Sequence, residues 1–343
     1  MKQLLNTVYV SDPEVYLALK GKNLNLLKSN ESLARIPLHN IEAICTFGHQ
    51  GASPALMKEC MDQNISLTFF SSSGRFRGRV TGELNGNVTL RRKQYRLADD
   101  EQECARIASN MIIGKIFNSE QLLKRTIRDH ALRVDVDHMK KVIERLKQSR
   151  KVVSECNNLE ELRGIEGNAA SAYYSVFEES ILQQKDVFFF KGRNRRPPLD
   201  PVNALLSFSY SLLAAETAAA LEGVGLDSYV GFLHRDRPGR NSLALDLMEE
   251  LRPLIADRFV LKVINRQQLQ SGDFAFKENG AVILTDEARR SFLQLWQKEK
   301  QQIITHPFLK EKIAWGLIPH VQALLLARHL RGDLDAYPPI LIR

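Results

Sequence analysis

The stretch Asn85-Gly-Asn-Val-Thr-Leu-Arg91-Arg92-Lys93-Gln-Tyr-Arg-Leu-Ala-Asp-Asp100-Glu-Gln-Glu-Cys-Ala105-Arg-Ile-Ala108-Ser-Asn-Met-Ile112-Ile-Gly-Lys-Ile116 marks a change of hydrophobic period. After residue 100, apolar side chains recur every three or four positions, as in Ala105, Ala108, Ile112 and Ile116 and again in Val142, Ile143 and Leu146. That is the spacing of a helix with one buried face. Before residue 85, short strand-like runs alternate with Gly, Asn and Ser turns: Leu4 to Val10, Val15 to Leu19, Leu24 to Leu27, Ala34 to Pro37, Ile41 to Thr46, Ile65 to Phe70 and Arg77 to Leu84. Residues 85–100 follow neither period and read as a linker. The expectation is an α+β chain of two domains: a β-rich domain over 1–84, and a mainly helical domain over 101–343.

Three local exceptions are expected. Ser53-Pro54 offers an N-cap and an N1 proline for a helix over Ala55 to Gln63. Asp273 to Leu284 carries Asn279-Gly280 between apolar runs, the signal of a β-hairpin at the surface. The end, Tyr337-Pro-Pro-Ile-Leu-Ile-Arg343, reads as an extended tail.

Composition narrows the class only loosely. Lys+Arg 48 against Asp+Glu 40 gives a net charge of +8, which favours a polyanionic partner without naming one. No run approaches the roughly 18 apolar residues of a membrane span, and the N-terminus lacks a signal-peptide pattern. A cytoplasmic protein with no membrane partner is the expectation. Cys45, Cys60, Cys104 and Cys156 are widely spaced, which argues against a zinc ribbon or a Cys-x-x-Cys redox pair and for reduced thiols.

Chemistry is concentrated in four segments of the helical part. In Leu162-Arg-Gly-Ile-Glu166-Gly-Asn-Ala-Ala, an acid sits between two glycines as a helix rich in small residues begins. It could be an ordinary first-turn helix acid. In Tyr229-Val-Gly-Phe-Leu-His234-Arg235-Asp-Arg237-Pro-Gly-Arg240, an apolar entry delivers a histidine into an arginine-rich loop. Imidazole ligates metals and guanidinium matches phosphate, although a solvated basic turn has the same pattern. In Ser242-Leu-Ala-Leu-Asp246-Leu-Met-Glu249-Glu250-Leu-Arg-Pro253, with Ser242 as a plausible N-cap, the apolar residues cover most of a helix. Asp246 and Glu249 share one confined acidic strip, which needs a cation or an arginine against it. Glu250 lies at the edge of that strip. Lastly, Arg193, Arg195 and Arg196 precede a proline-rich turn and a helix capped by Asp200 and Pro201. Together, Glu166, His234, Asp246 and Glu249 form an oxygen and nitrogen set suited to Mg²⁺ or Mn²⁺.

These segments, in this order and spacing, resemble the CRISPR-associated spacer-acquisition integrases, the family of the first-numbered Cas protein. The resemblance rests on Leu162-Arg-Gly-Ile-Glu166-Gly-Asn-Ala-Ala, Arg196-Pro-Pro-Leu-Asp-Pro-Val-Asn-Ala-Leu-Leu-Ser207, Gly231-Phe-Leu-His234 and Leu243-Ala-Leu-Asp246-Leu-Met-Glu249-Glu-Leu-Arg-Pro253. It implies an N-terminal β-sandwich, a C-terminal helical catalytic domain and a homodimer formed through the N-terminal half. It also implies a heterohexamer with the small ferredoxin-like second-numbered Cas protein, and a prespacer-processing nuclease as a further candidate partner. Glu166, His234 and Glu249 match the family's metal ligands and Asp246 its adjacent carboxylate, with the direct ligand left open between Asp246 and Glu249. The implied reaction is attack by a prespacer 3′-hydroxyl on the CRISPR repeat, with cutting of branched, single- or double-stranded DNA by the same site. Arg193, Arg195, Arg196, Arg235, Arg237 and Arg240 are the candidate phosphate contacts. Two other readings stay open: a DNA-repair nuclease that only cuts, and a DNA-binding scaffold whose acids merely pair with arginines.

Overall fold

The computed structural model describes residues 6–71, 74–80, 82 and 88–342. Residues 1–5, 72–73, 81, 83–87 and 343 fall outside the described residues, and with them Leu4, part of the seventh strand-like segment and the start of the linker. The chain forms two compact units, the first made of Met1–Asn85, Leu284–Gln302 and Ala314–Leu317 and the second of Gly86–Ile283, Ile303–Ile313 and Ile318–Arg343. The two late segments of the first unit have no counterpart in the expected division into 1–84 and 101–343.

In the first unit the strand-like runs become β1 (Thr7–Val10), β2 (Tyr16–Lys20), β3 (Asn23–Lys28), β4 (Glu31–Pro37) and β5 (Ala43–Thr46), followed by helix α1 (Pro54–Asp62), β6 (Ser66–Phe70) and β7 (Phe76–Val80). They pair as two sheets, a mixed one ordered β1-β5-β6-β7 and an antiparallel one ordered β2-β3-β4. Ser29 and Asn30, both at positive φ, make the two-residue turn whose twist suits the β3–β4 hairpin. Ser53 caps α1, accepting from the Leu56 N–H at 3.2 Å, and α1 forms the crossover between parallel β5 and β6. Leu17 and Leu24 from one sheet, Ile44 and Leu67 from the other, and Leu56 of α1 share one core, which makes the unit sandwich-like.

The second unit starts with a correction. Residues 88–98 are not linker but helix α2 (Val88–Ala98), whose buried positions are only Leu90 and Gln94. Hydrogen bonds replace an apolar stripe here: Gln94 Nε2 donates to the carbonyls of Asp227 and Val230, and its Oε1 accepts the Asp227 N–H. There follow α3 (Glu101–His130), α4 (Val136–Glu155), α5 (Leu159–Ser175), α6 (Pro201–Gly223), α7 (Ser242–Met248) and α8 (Arg258–Asn265). The hairpin expected over 273–284 forms as β8 (Phe274–Phe276) and β9 (Val282–Leu284), with Gly280 at positive φ in its turn. After α9 (Asp286–Lys300), which belongs to the first unit, come β10 (Ile303–Thr305), β11 (Lys312–Ala314) and α10 (Ile318–Arg331).

Two expectations about apolar runs change. Helix α6 is long and apolar enough to cross a membrane by length and composition alone, yet 61% of that window is buried inside the protein, as in a core helix. The expected extended tail does lack helix and strand, but Tyr337 and Ile340 are buried. All four cysteines stand as thiols outside any disulfide, with Cys60 and Cys104 buried.

Candidate metal centre and basic surface

The site is assembled on the long helix α3. Lys115 lies on the same face as Ala108, Met111 and Ile112 and is itself buried, an unusual place for a charge that must be compensated. Its ammonium ion-pairs with Glu166 of α5 and lies 2.7 Å from Glu249 Oε2. Glu249 is buried on a turn just past α7, and its other oxygen is 3.0 Å from Arg252 Nη1. Burial would raise the Glu249 carboxyl, but Arg252, then Lys115 and His234, outweigh it and hold the group down to about 2. Burial would likewise lower the Lys115 ammonium, whereas Glu249 and Glu166 together raise it above its usual value. Glu166 sits in the middle of α5, which begins at Leu159 under an Asn158 cap, rather than at a helix start.

Asp246, expected beside Glu249 as a possible ligand, is occupied elsewhere. Its Oδ2 accepts the backbone N–H groups of Phe232 at 2.6 Å and Leu233 at 2.9 Å, and its Oδ1 accepts that of His234 at 2.9 Å. Oδ1 also lies 2.5 Å from His234 Nδ1. Asp246 is completely buried and both its oxygens are engaged, so within this arrangement its contacts run to the 232–234 backbone and to Nδ1 of His234. Gly231 permits this approach, since a Cβ there would stand 2.6 Å from Asp246 Oδ2. The same loop is tied to the Glu166 helix, because Arg163 of α5 donates to the Leu233 carbonyl at 2.7 Å. The expected Ser242 cap is displaced by one residue: Asn241 precedes the helix and Ser242 opens it.

Past Glu249 the chain widens into a π-helix over Arg252–Asp257, where Pro253 lacks the N–H that a regular helix would use. This widened turn holds Arg252, whose guanidinium lies 5.1 Å from the centre of the Tyr210 ring, while Arg193 lies 5.2 Å from it. The Tyr210 and Tyr173 hydroxyls both donate to buried Asp257. Burial pushes the Asp257 carboxyl up to about 6, despite those two hydrogen bonds and the nearby arginines.

The six arginines expected to face phosphate separate into groups. Arg193 is half-buried and donates to Asn203 Oδ1 at 2.6 Å and Ser207 at 3.0 Å, so it fixes the proline-rich turn. Arg235 is exposed and donates to Glu160 at 2.8 Å. Arg195, Arg196 and Arg237 are exposed, and together they crowd Arg240. Burial first, and then Arg237, Arg195 and Arg196, lower Arg240 from its usual value. Buried Asp246 offsets part of this effect on Arg240.

Lys115, Arg252 and Tyr210 are not among the sequence candidates. The one local signal for Lys115 is its position three and four residues after Ile112 and Met111 of α3, which does not by itself separate a buried lysine from a solvated one. Among the described residues, no group of three or more His, Cys, Asp or Glu side chains converges as a metal site in this arrangement, the ammonium of Lys115 lying between Glu166 and Glu249.

The sequence matches the family described as CRISPR associated protein Cas1 over residues 8–298. The chain belongs to the Cas1 family. Among its relatives, the CRISPR-associated endonuclease Cas1 2 of Rhodospirillum rubrum is 48% identical over 349 residues, covering 99% of each chain. This Cas1-family chain also shares its fold with a casposase bound to integration product, at a TM-score of 0.85 and 21% identity, covering 98% of this chain and 94% of that one. A Cas6-RT-Cas1–Cas2 complex contains the same fold, at a TM-score of 0.81 and 24% identity, covering 99% of this chain and 36% of that one. The expected α+β fold, with a strand-rich N-terminal part and a mainly helical C-terminal part, agrees with these likenesses.

Proposed function

We propose that this chain is a divalent-metal-dependent DNA integrase and endonuclease of CRISPR adaptation, with Glu166, His234 and Glu249 holding Mg²⁺ or Mn²⁺. The observation that carries the proposal is the buried cation position between Glu166 and Glu249, filled here by the Lys115 ammonium. The donor set fits a divalent ion. Oε2 of Glu249 is buried against the Lys115 ammonium, Glu249 stays ionised, and Asp246 engages Nδ1 of His234, leaving Nε2 as the other ring nitrogen.

When bound, the ion supplies Lewis-acid stabilisation of the phosphodiester under attack and activation of the attacking 3′-hydroxyl. Glu166 and Glu249 would contribute the anionic oxygens, with Lys115 giving up the position between them and Arg252 staying beside Glu249. Asp246 keeps the imidazole in one tautomer and orientation. Arg195, Arg196, Arg237 and Arg240 hold phosphates of the strand, and Arg193 keeps their turn rigid against Tyr210. Asp246 therefore acts as a positioning residue and Glu249 as the ligand.

The casposase captured with its integration product and the relative's endonuclease activity support joining as well as cutting. The complex containing Cas2 supports a small Cas2-type partner, in a heterohexamer built on a homodimer of this chain. Action in the cytoplasm and dependence on a prespacer-processing nuclease belong to the same proposal. A strand-transfer assay with a 3′-hydroxyl oligonucleotide, repeat DNA, Mn²⁺ and the small partner is expected to give joined products. Cut products alone would leave only the nuclease reading, and no metal-dependent product at all would sink the catalytic reading.

A further inference from the structure

Glu250, next to the proposed ligand Glu249, is fully buried and meets no cation among the described residues. Instead it is surrounded by donors from the last residues of the chain and from α10. Tyr337 donates its hydroxyl proton to Oε1, Gln322 Nε2 lies 2.9 Å from the same oxygen, and the Ile340 N–H donates to Oε2 at 2.8 Å. Gln322 is aligned in turn by buried His306, whose Nε2 is 3.0 Å from Gln322 Oε1.

Helix α3 closes the other side of this arrangement. Asn118 Nδ2 lies 2.9 Å from both the Glu250 carbonyl and the Ile340 carbonyl, bridging the turn that carries Glu249 to the end of the chain. Gly114, one residue before Lys115, has its reason here: a Cβ at that position would stand 2.8 Å from Glu250 Oε2 and 3.0 Å from Pro339 Cβ. A mid-helix glycine is disfavoured relative to alanine, and the close approach of Glu250 and Pro339 accounts for it. One face of α3 thus contacts the ligand turn through Lys115 and the terminal segment through Gly114 and Asn118.

From these contacts we infer that the segment Tyr337–Ile342 is a latch that positions Glu249 for the cation, by locking the adjacent Glu250 between α3 and α10. The latch touches neither DNA nor the cation. It acts through the backbone of the Glu249–Glu250 turn, and it rests on the proposed ligand role of Glu249.

The test compares the full chain with a version ending at residue 336 and with Tyr337→Phe, which keeps the ring but loses the hydroxyl bond to Glu250. Mn²⁺ binding is read by electron paramagnetic resonance without DNA, alongside DNA affinity and Mn²⁺-dependent cutting. Shortening is expected to weaken Mn²⁺ binding at least tenfold and slow cutting at least tenfold, with DNA affinity unchanged, and a peptide of residues 333–343 added in trans should restore both. Tyr337→Phe is expected to weaken Mn²⁺ binding about threefold. Full Mn²⁺ affinity in both altered chains overturns the latch, and so does full affinity in Tyr337→Phe if the shortened chain fails to fold. Absence of Mn²⁺ binding in the unaltered chain instead overturns the ligand assignment beneath it.

Discussion

Glu249 and Glu250 are neighbours on one turn and both buried, yet their environments drive them in opposite directions. Around Glu249 the surroundings are cationic: Arg252, Lys115 and His234 overcome burial and hold the carboxyl down to about 2. Around Glu250 the surroundings are neutral donors, and hydrogen bonds from Tyr337, Gln322 and Ile340 only partly offset burial, leaving the group pushed up to about 7. Burial alone therefore does not set the charge of a carboxylate; whether its neighbours are ions or dipoles does. It also separates two jobs on one turn, an ionised group suited to a metal and a neighbouring anchor suited to packing.

The strongest way to break this contrast is to remove the cation on the Glu249 side. Lys115→Met should leave Glu166 and Glu249 facing each other with Arg252 as the main compensation. A loss of about 3 kcal/mol or more is expected without divalent ions, since the partners of a broken buried pair stay buried. Glu249 should also lose part of its depression. Its contribution is present above the unfolded value of 4.5 and disappears as pH falls through about 2, so in the variant the acid limb of the stability curve should move to higher pH. Mn²⁺ should restore thermal stability more in Lys115→Met than in the parent chain. A variant that melts with the parent, with and without Mn²⁺, would show that the carboxylate pair does not need a cation.

A smaller effect is expected on the Glu250 side. Its folded value of about 7 lies above the ordinary 4.5, so the folded chain binds this proton more tightly than the unfolded one. Stability from this group is therefore complete below about pH 4.5 and is lost as pH rises towards 7. Asp257, raised from 3.8 to about 6, adds the same trend in a lower window. Glu250→Gln should flatten the fall in melting temperature most between about pH 6 and 7, above the Asp257 window that ends at about 6. A constant offset is tolerable, because the glutamine amide meets donors. Parallel melting curves for variant and parent across that window would refute the assignment of this proton to Glu250.

What is legible in the sequence follows the strength of each local signal. The β-strands of the first unit are readable because alternation and turn residues such as Gly21 agree. The proposed ligands stand out as ionisable residues in apolar settings. Helix α2 escapes a sequence reading because it buries a glutamine through backbone hydrogen bonds, leaving no apolar period to detect. Lys115 escapes it because a lysine in an amphipathic helix ordinarily reads as solvated, and its burial is set by Glu166 and Glu249 far along the chain. Two burials near the chain end, Tyr337 and Ile340, arise from contacts with Asn118, Glu250 and Gln322 that no local pattern encodes.

The same contrast, sharpened on cations, gives the smallest expected effect. Lys115 and Arg252 are paired with carboxylates, so their charge is satisfied within the fold. Arg195, Arg196 and Arg237 press instead on another arginine, Arg240. Cations of the first kind are compensated within the fold, and those of the second kind are the ones proposed above to meet phosphates. An Arg195→Ala/Arg196→Ala double variant should therefore melt within about 0.5 kcal/mol of the parent, as surface changes usually do. Its duplex-DNA affinity should depend less on salt, because each phosphate that is no longer neutralised takes about 0.9 off the slope of log affinity against log salt concentration. A reduction of about 2 in that slope would assign both residues to phosphates. An unchanged slope would show that neither arginine neutralises a phosphate and would remove both from the proposed DNA contacts.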